Sequence, residues 1–448
     1  MPLRFLLWVG LVCASLCYGQ DVARMEDYID SYVKRGQFMG TVLVARGDEV
    51  LLNKGYGFAN LEWQVPNTPT TKFRLGSLTK QFTAAAILLL EERGKLKLGD
   101  PVKNYLPDAP AAWDKVTIYH LLTHTSGIPS FTGFPDYREN EHVKSTPEML
   151  VARFRDKPLE FQPGEKWIYS NSGFVLLGYL LEKVTGESYE KFLRENVFDP
   201  LGMKDTGYDF NTEVIARRAS GYDPGPKGPL NAGYIHMSIP FSAGALYSTT
   251  EDLLKWEQGL FGGKLLSPAS LEKMITPFKQ GYGYGIGIRT TKQGLKVIAH
   301  GGGIEGFSSF LAYYPADRVT VVVLGNLTGP SVEKVAHALA DFVHGVPLEM
   351  PRQRTEIMVP AAKLAEYVGT YVMTPTFEIA VTLDGGQLFA QATKQPKFPV
   401  YAESEAKFFL KVVDAQIEFK RDAQGKVNAL VLHQNGRDQV AKRKEASP

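Results

Sequence analysis

From Gly40 to Tyr56 apolar and polar positions alternate, in Thr41-Val42-Leu43-Val44 and in Val50-Leu51-Leu52, about the turn signal Gly47-Asp48. Alternation of period two buries one face of a strand, so this stretch predicts a β-hairpin. From Thr79 to Arg93 the pattern becomes helical and rich in Ala and Leu, and Gly94 follows where a left-handed residue ends helices. Ser77 thus stands at a helix entrance. Between Asp100 and Thr276 short helical stretches, Gly173 to Val184, Ser188 to Glu195 and Thr250 to Leu260, are separated by Pro- and Gly-rich loops of the kind that carry function. Strand patterning returns at Leu295 to Ala299, Phe307 to Tyr314 and Val319 to Leu324, ahead of a helical run from Ser331 to His344. The hairpin and these late strands are expected to share one antiparallel sheet, with the helical middle inserted between them.

Pro347, Pro351 and Pro360 then interrupt any regular structure, and the segment 347–360 reads as a linker. Alternation resumes in Phe377 to Leu383, Leu388 to Ala392, Phe408 to Val413, Ile417 to Lys420 and Ala429 to His433, with turns at Asp384-Gly385-Gly386 and Gln424-Gly425. This predicts an all-β, barrel-like domain over 361–448, after a first domain over 20–346.

Composition changes the picture little. The 448 residues are 44% hydrophobic and 22% charged, an ordinary globular balance with length for more than one core. The formal net charge of +2 gives no field that argues for nucleic acid or an anionic membrane surface.

The N-terminus changes it more. Arg4 precedes an apolar stretch, Phe5 to Leu16, and the small-residue approach Cys17-Tyr18-Gly19, so 1–19 reads as a secretory signal. The run is shorter than the ~20 apolar residues of a membrane span, so no stable anchor is expected after its removal. Cys13 and Cys17, the chain's two cysteines, both fall inside it. A chain cut there has no disulfide or thiolate, and a secreted or periplasmic location is expected.

A serine acts as a nucleophile only if something takes its proton, and a Lys three residues further along a helix lies on the same face. S-x-x-K occurs at Ser31, Ser77, Ser188, Ser270, Ser331 and Ser404, so the spacing alone means little and an N-capping Ser accounts for most instances. Ser188, Ser270 and Ser331 have a Glu just before the Lys, expected to pair with it, and Ser404 lies in the β domain. Only Ser77-Leu78-Thr79-Lys80 follows a Gly, precedes a strongly apolar helix and puts Lys80 where the helix dipole disfavours an ammonium.

Two rarer motifs follow, Tyr169-Ser170-Asn171 and His300-Gly301-Gly302. In that order the three motifs resemble the serine β-lactamase and penicillin-binding-protein superfamily, in its class C, D-peptidase and esterase branch. His120-Leu121-Leu122-Thr123-His124-Thr125-Ser126-Gly127-Ile128-Pro129 and Pro240 to Thr249 look like further segments of that branch, and the resemblance spans Asp27 to His344. It implies an α/β (α+β) fold, a class C β-lactamase-like antiparallel sheet flanked by helices. It also implies that Ser77 attacks a carbonyl, that Lys80 and Tyr169 share the proton and that Asn171 holds Lys80 and a substrate amide. The N–H groups of Ser77 and of Gly303, on an edge strand, would form an oxyanion hole beside Gly302. In the β-lactamase version of the third motif a Lys and a hydroxyl residue grip the drug's carboxylate; His300 and Gly301 stand there instead, which puts efficient β-lactam turnover in doubt. Two roles are open to His300: gripping a carboxylate when protonated, or orienting neighbours when neutral. The β domain resembles the lipocalin-like C-terminal domains of some members, with capping of the site, oligomer assembly and ligand binding all open to it.

Other signals are set aside. His120 and His124 are spaced i, i+4 without the Glu of a metalloprotease pattern, and no metal or cofactor is expected. Gly301-Gly302-Gly303-Ile304-Glu305-Gly306 matches G-x-G-x-x-G but leads into a strand, which removes the helix dipole that would bind pyrophosphate. The run Gly281-Tyr282-Gly283-Tyr284-Gly285 reads equally as a ligand-stacking surface or as packing. The sequence therefore points to an exported serine hydrolase working through an acyl-enzyme on a small-molecule or peptide substrate, as a D-amino-acid peptidase or amidase or a carboxylesterase. A β-lactamase, or a penicillin-binding sensor that acylates with little turnover, is the alternative. Pocket walls are expected from Phe131 to Glu141 and Asp223 to Met237.

Overall fold

The computed structural model of the chain describes residues 20–350, 354–434 and 437–444. The expected signal 1–19 lies outside the described residues, as does part of the expected linker. The chain divides into two compact units, the first containing Phe38–Asp223 and Asn231–Leu348, the second made chiefly of the residues after Leu348. Among the described residues no helix is long and apolar enough to cross a membrane.

In the first unit the hairpin forms as β1 (Gly40–Arg46) and β2 (Glu49–Tyr56). The middle of the chain supplies α1 (Thr79–Glu92), α2 (Asn171–Thr185) and α3 (Thr250–Phe261), and the sheet is completed by β3 (Gly287–Thr290), β4 (Lys296–Ile304), β5 (Phe307–Tyr314) and β6 (Val319–Gly325), followed by α4 (Ser331–Val343). The strands pair antiparallel in the order β3-β4-β5-β6-β1-β2. β6 is buried along its whole length, as its unbroken Val-rich run requires, and α3 and α4 pack against it. α1 is buried from Thr79 to Leu90, so this helix runs through the core rather than along the surface.

Two expectations change around β4, the strand that carries His300-Gly301-Gly302. β4 runs on from Ala299 to Ile304, so the three glycines lie within it, Gly301 opposite Phe310 and Gly303 opposite Ser308. Nor is β4 an edge strand. β3, which the sequence pattern did not reveal, covers its outer side but begins opposite Ala299, so the exposed edge is local to His300–Ile304.

The second unit carries β7 (Gly369–Thr374), β8 (Phe377–Asp384), β9 (Gln387–Ala392), β10 (Lys397–Ala402), β11 (Lys407–Phe409), β12 (Ala415–Arg421), β13 (Val427–Gln434) and β14 (Arg437–Arg443). They form a closed barrel in sequential order, with β7 pairing β14 through Tyr371 and Arg443, and closure removes the free edges a β domain must otherwise protect. Its interior is filled by Tyr371, Ile379, Val381, Leu388, Ile417 and their neighbours, and the Tyr367 ring stacks on Phe419 at 4.3 Å.

Candidate active site

Ser77 sits in a single 3₁₀ turn, Gly76–Leu78, that runs directly into α1. The turn packs against β4 at close range. Gly76 has φ +54°, and a Cβ there would lie 2.8 Å from the Gly303 nitrogen, so only glycine lets the turn that carries Ser77 meet the strand. A Cβ on Gly302 would stand 2.0 Å from the Leu75 carbonyl oxygen, which instead accepts a hydrogen bond from Ser309 Oγ at 2.7 Å. The turn that carries Ser77 thus lies directly against the backbone of Gly302 and Gly303.

Lys80 is fully buried on the second position of α1. Its Nζ lies 3.0 Å from Ser77 Oγ, 2.9 Å from Asn171 Oδ1 and 2.8 Å from the Ala243 carbonyl oxygen. A neutral amine has two N–H groups and one lone pair; the two carbonyl oxygens can only accept and take the N–H groups, leaving the lone pair for the Ser77 hydroxyl. Burial drives the Lys80 pKa far down, and no carboxylate counters it. The amine lies 4.9 Å from the centroid of the Tyr169 ring. Burial raises the Tyr169 pKa, with the Ser77 hydroxyl pulling the other way, so the phenol keeps its proton at neutral pH.

The Tyr-x-Asn segment is locked to the loop that follows His124. Ser170 caps α2 and its Oγ donates to the Ile128 carbonyl at 2.9 Å, while Ser172 Oγ donates to the Pro129 carbonyl at 2.7 Å. Asn171 Nδ2 donates to Thr132 Oγ1 at 3.0 Å and its backbone N–H to Ser130 Oγ at 3.0 Å. Sequence reasoning placed Ala243 in a family-like segment and Thr132 in a pocket wall but gave neither a role, and it passed over Ser130, because a short apolar helix and a Ser-x-Thr in a loop do not reveal what they will contact.

His300 lies beside Tyr169, ring centroids 6.4 Å apart. Both its nitrogens are engaged, Nε2 with the Tyr282 hydroxyl at 2.9 Å and Nδ1 with the Gly301 carbonyl at 2.6 Å. Its pKa is pushed down to about 4, first by burial, and any charge on Lys80 adds to that. The neutral, orienting role is therefore the one its surroundings favour. His124 and His120 are also placed. His124 Nδ1 accepts the Ser170 N–H at 3.1 Å, and its ring lies 4.3 Å from that of Tyr169. His120 Nδ1 accepts the Thr117 N–H at 3.2 Å in a capping box. Elsewhere, Ser188 caps a helix as the bland reading of S-x-x-K has it, but Lys191 pairs with Glu187 at 3.1 Å rather than with the adjacent Glu190, because neighbours in a helix do not face each other.

A cavity of about 270 Å³ opens over Ser77, lined among others by Thr132, Arg138, Asn171, Gly303 and Glu305. The walls come from the expected loops, Phe131 to Arg138 on one side and Ile235 on another. Arg138 Nη1 bridges Glu141, at 3.0 Å, and Glu305, at 3.2 Å.

With this geometry in place, residues 25–345 match the family described as Beta-lactamase. The chain belongs to the β-lactamase family. Residues 353–443 of this family member match a domain of unknown function, DUF3471. The chain is 28% identical over 446 residues to "Penicillin-binding protein 4*" of Bacillus subtilis, covering 94% of this chain and 98% of that protein. Among solved structures it is similar to the octameric penicillin-binding protein homologue from Pyrococcus abyssi, at 28% identity and a TM-score of 0.65 over 94% of this chain and 100% of that one. It is also similar to the D-amino acid amidase from Ochrobactrum anthropi SV3, at 25% identity and a TM-score of 0.65 over 72% of this chain and 99% of that one. A β-lactamase-fold domain followed by an eight-stranded barrel, and membership of a family of serine hydrolases, are thus established for this chain.

Proposed function

We propose that this β-lactamase-family chain hydrolyses D-aminoacyl amides and peptides, and related esters, through an acyl-enzyme on Ser77. The observation that carries this reading is the fully buried Lys80, whose Nζ lies 3.0 Å from Ser77 Oγ and whose pKa burial drives far down, toward the neutral amine that could take the Ser77 proton. In acylation Ser77 Oγ bonds to the substrate carbonyl carbon as its proton passes to Lys80 Nζ. The carbonyl oxygen becomes an oxyanion facing the N–H groups of Ser77 and Gly303. Collapse breaks the bond to the leaving amine or alcohol, which takes a proton through the Tyr169 phenol. Water then attacks the ester by the same route and restores Ser77. Asn171 serves as an anchor for Lys80. The name of the Ochrobactrum relative supports a D-amino acid amide as substrate.

β-Lactam turnover is not part of the proposal, because His300 in its neutral form and Gly301 offer neither the cation nor the hydroxyl that would hold the drug's carboxylate. The reading includes export, on the strength of the apolar segment behind Arg4, and assembly, which the octameric Pyrococcus relative supports.

The test is labelling with a fluorophosphonate probe, with the adduct located by mass spectrometry, followed by a panel of D- and L-aminoacyl amides, p-nitrophenyl esters and nitrocefin. The expected result is an adduct on Ser77, none in Ser77→Ala, and turnover of D-amides and esters above nitrocefin. An adduct on another serine ends the assignment.

A further inference from the structure

Four hydrogen bonds join the two halves of the site behind Tyr169. The Ser170 N–H can only donate, so His124 Nδ1, 3.1 Å away, is an acceptor and the His124 proton resides on Nε2. His124 Nε2 lies 3.3 Å from the Tyr282 hydroxyl, which therefore accepts there and directs its own proton to His300 Nε2 at 2.9 Å. His300 must then be protonated on Nδ1, and Nδ1 meets the Gly301 carbonyl, which can only accept, at 2.6 Å. Every donor in the chain faces an acceptor, and both ends are backbone groups of fixed polarity. One arrangement of protons satisfies all four contacts with both imidazoles neutral.

The ends matter. At one end Ser170 lies between Tyr169 and Asn171. At the other, Gly301 is two residues before Gly303 in a run of three glycines that has no side chains to fix it.

We infer that Tyr282 is a positioning residue: through His124 it holds Tyr169, and through His300 it holds the backbone that presents the Gly303 N–H, in one polarised wire. The inference rests on the reading of Ser77 and Gly303 given above. It also assigns the aromatic run at Gly281–Gly285 a role that is neither ligand stacking nor packing alone.

The wire fails on protonation. A charged His300 is a donor at both nitrogens, so Nε2–H would face the Tyr282 O–H. The phenol would have to turn its proton toward His124, which already donates. Among the described residues the titratable groups facing His300 are Lys80, His124, Tyr169 and Tyr282, none of them a carboxylate. Removing the Tyr282 hydroxyl frees the His300 lone pair, so the proton should then bind more readily.

Two measurements test this. Nitrogen-15 NMR of the wild-type chain at pH 7, with signals assigned by His300→Gln and His124→Gln, should find His300 protonated on Nδ1 and His124 on Nε2, both neutral. The opposite tautomer at either ring, or an imidazolium, overturns the inference. In Tyr282→Phe, kcat for a p-nitrophenyl ester should fall about 10- to 100-fold and the acid limb of the kcat profile should move upward by about one pH unit or more. A loss of activity with an unmoved acid limb, or no loss, would show Tyr282 to be packing alone. If wild type neither labels at Ser77 nor turns over, the proposed function fails while the tautomer measurement still decides the wire.

Discussion

Arg138 Nη1 reaches Glu305 Oε1 at 3.2 Å across the mouth of the cavity that holds Ser77, and the same nitrogen also bridges Glu141. One guanidinium thus faces two carboxylates, which leaves a net negative charge two residues past Gly303. A substrate bringing a free α-ammonium should benefit from that charge, and an N-acylated one should not. Glu305→Gln is expected to lower kcat/KM for a D-aminoacyl amide relative to its N-acetyl counterpart by about tenfold. A ratio equal to that of wild type would show that Glu305 does not read the amino group.

Lys80 and Tyr169 share contact with Ser77 and should work as a unit. Lys80→Ala and Tyr169→Phe are each expected to cut kcat by about 10²–10⁴-fold, and the double variant should be little worse than the poorer single one. Burst and steady-state kinetics on one ester check it. Losses that multiply would mean the two groups act in separate steps.

Gly76→Ala should fold yet acylate poorly. The new methyl meets the Gly303 nitrogen at 2.8 Å in a backbone already at φ +54°, so strand and nucleophile turn must part. Displacing one oxyanion donor costs about 10²–10³ in rate. Stopped-flow acylation measures it, and a rate within a few-fold of wild type would argue that Gly303 is not a donor.

The His300 pKa of about 4 in the folded chain, against an ordinary 6.5, has a direct thermodynamic consequence. Between these values the unfolded chain binds a proton that the folded one refuses, so this contribution to stability is complete above pH 6.5 and declines as pH falls toward 4. Its size is about 2–3 kcal/mol by pH 4.5. His124, whose pKa burial also lowers, adds in the same direction. Urea unfolding of wild type and His300→Gln at pH 7.5 and 4.5 should find a smaller acid loss in the variant. An equal loss would mean that other groups carry the acid sensitivity.

The strands were legible where burial alternated cleanly or where the run was apolar along its whole length. The hairpin β1–β2 and strands β5 and β6 declare themselves through alternation or a Val run. β3 is four residues long and too short to show a period. In the barrel, β14 is exposed along most of its length, so its polar sequence Arg-Asp-Gln-Val-Ala-Lys-Arg carries no alternation. β7 and β10 were missed as well, half-buried strands with weak patterns.

The sequence by itself determined the order and type of the three motifs, the helix that carries Lys80 with Ser77 at its entrance, and the presence of a second β domain, because these rest on local periods and on spacing within one turn of a helix. Only the tertiary structure decided which groups meet. Lys80 finds Asn171 and the Ala243 carbonyl, 91 and 163 residues away, and Tyr282 finds His124 and His300. The protonation states follow from that meeting. The Lys80 pKa is driven down because burial strips water from the amine, and the inferred histidine tautomers rest on backbone groups of fixed polarity at both ends of a hydrogen-bonded chain. Neither burial nor polarity of that kind is a property of a residue's neighbours in sequence.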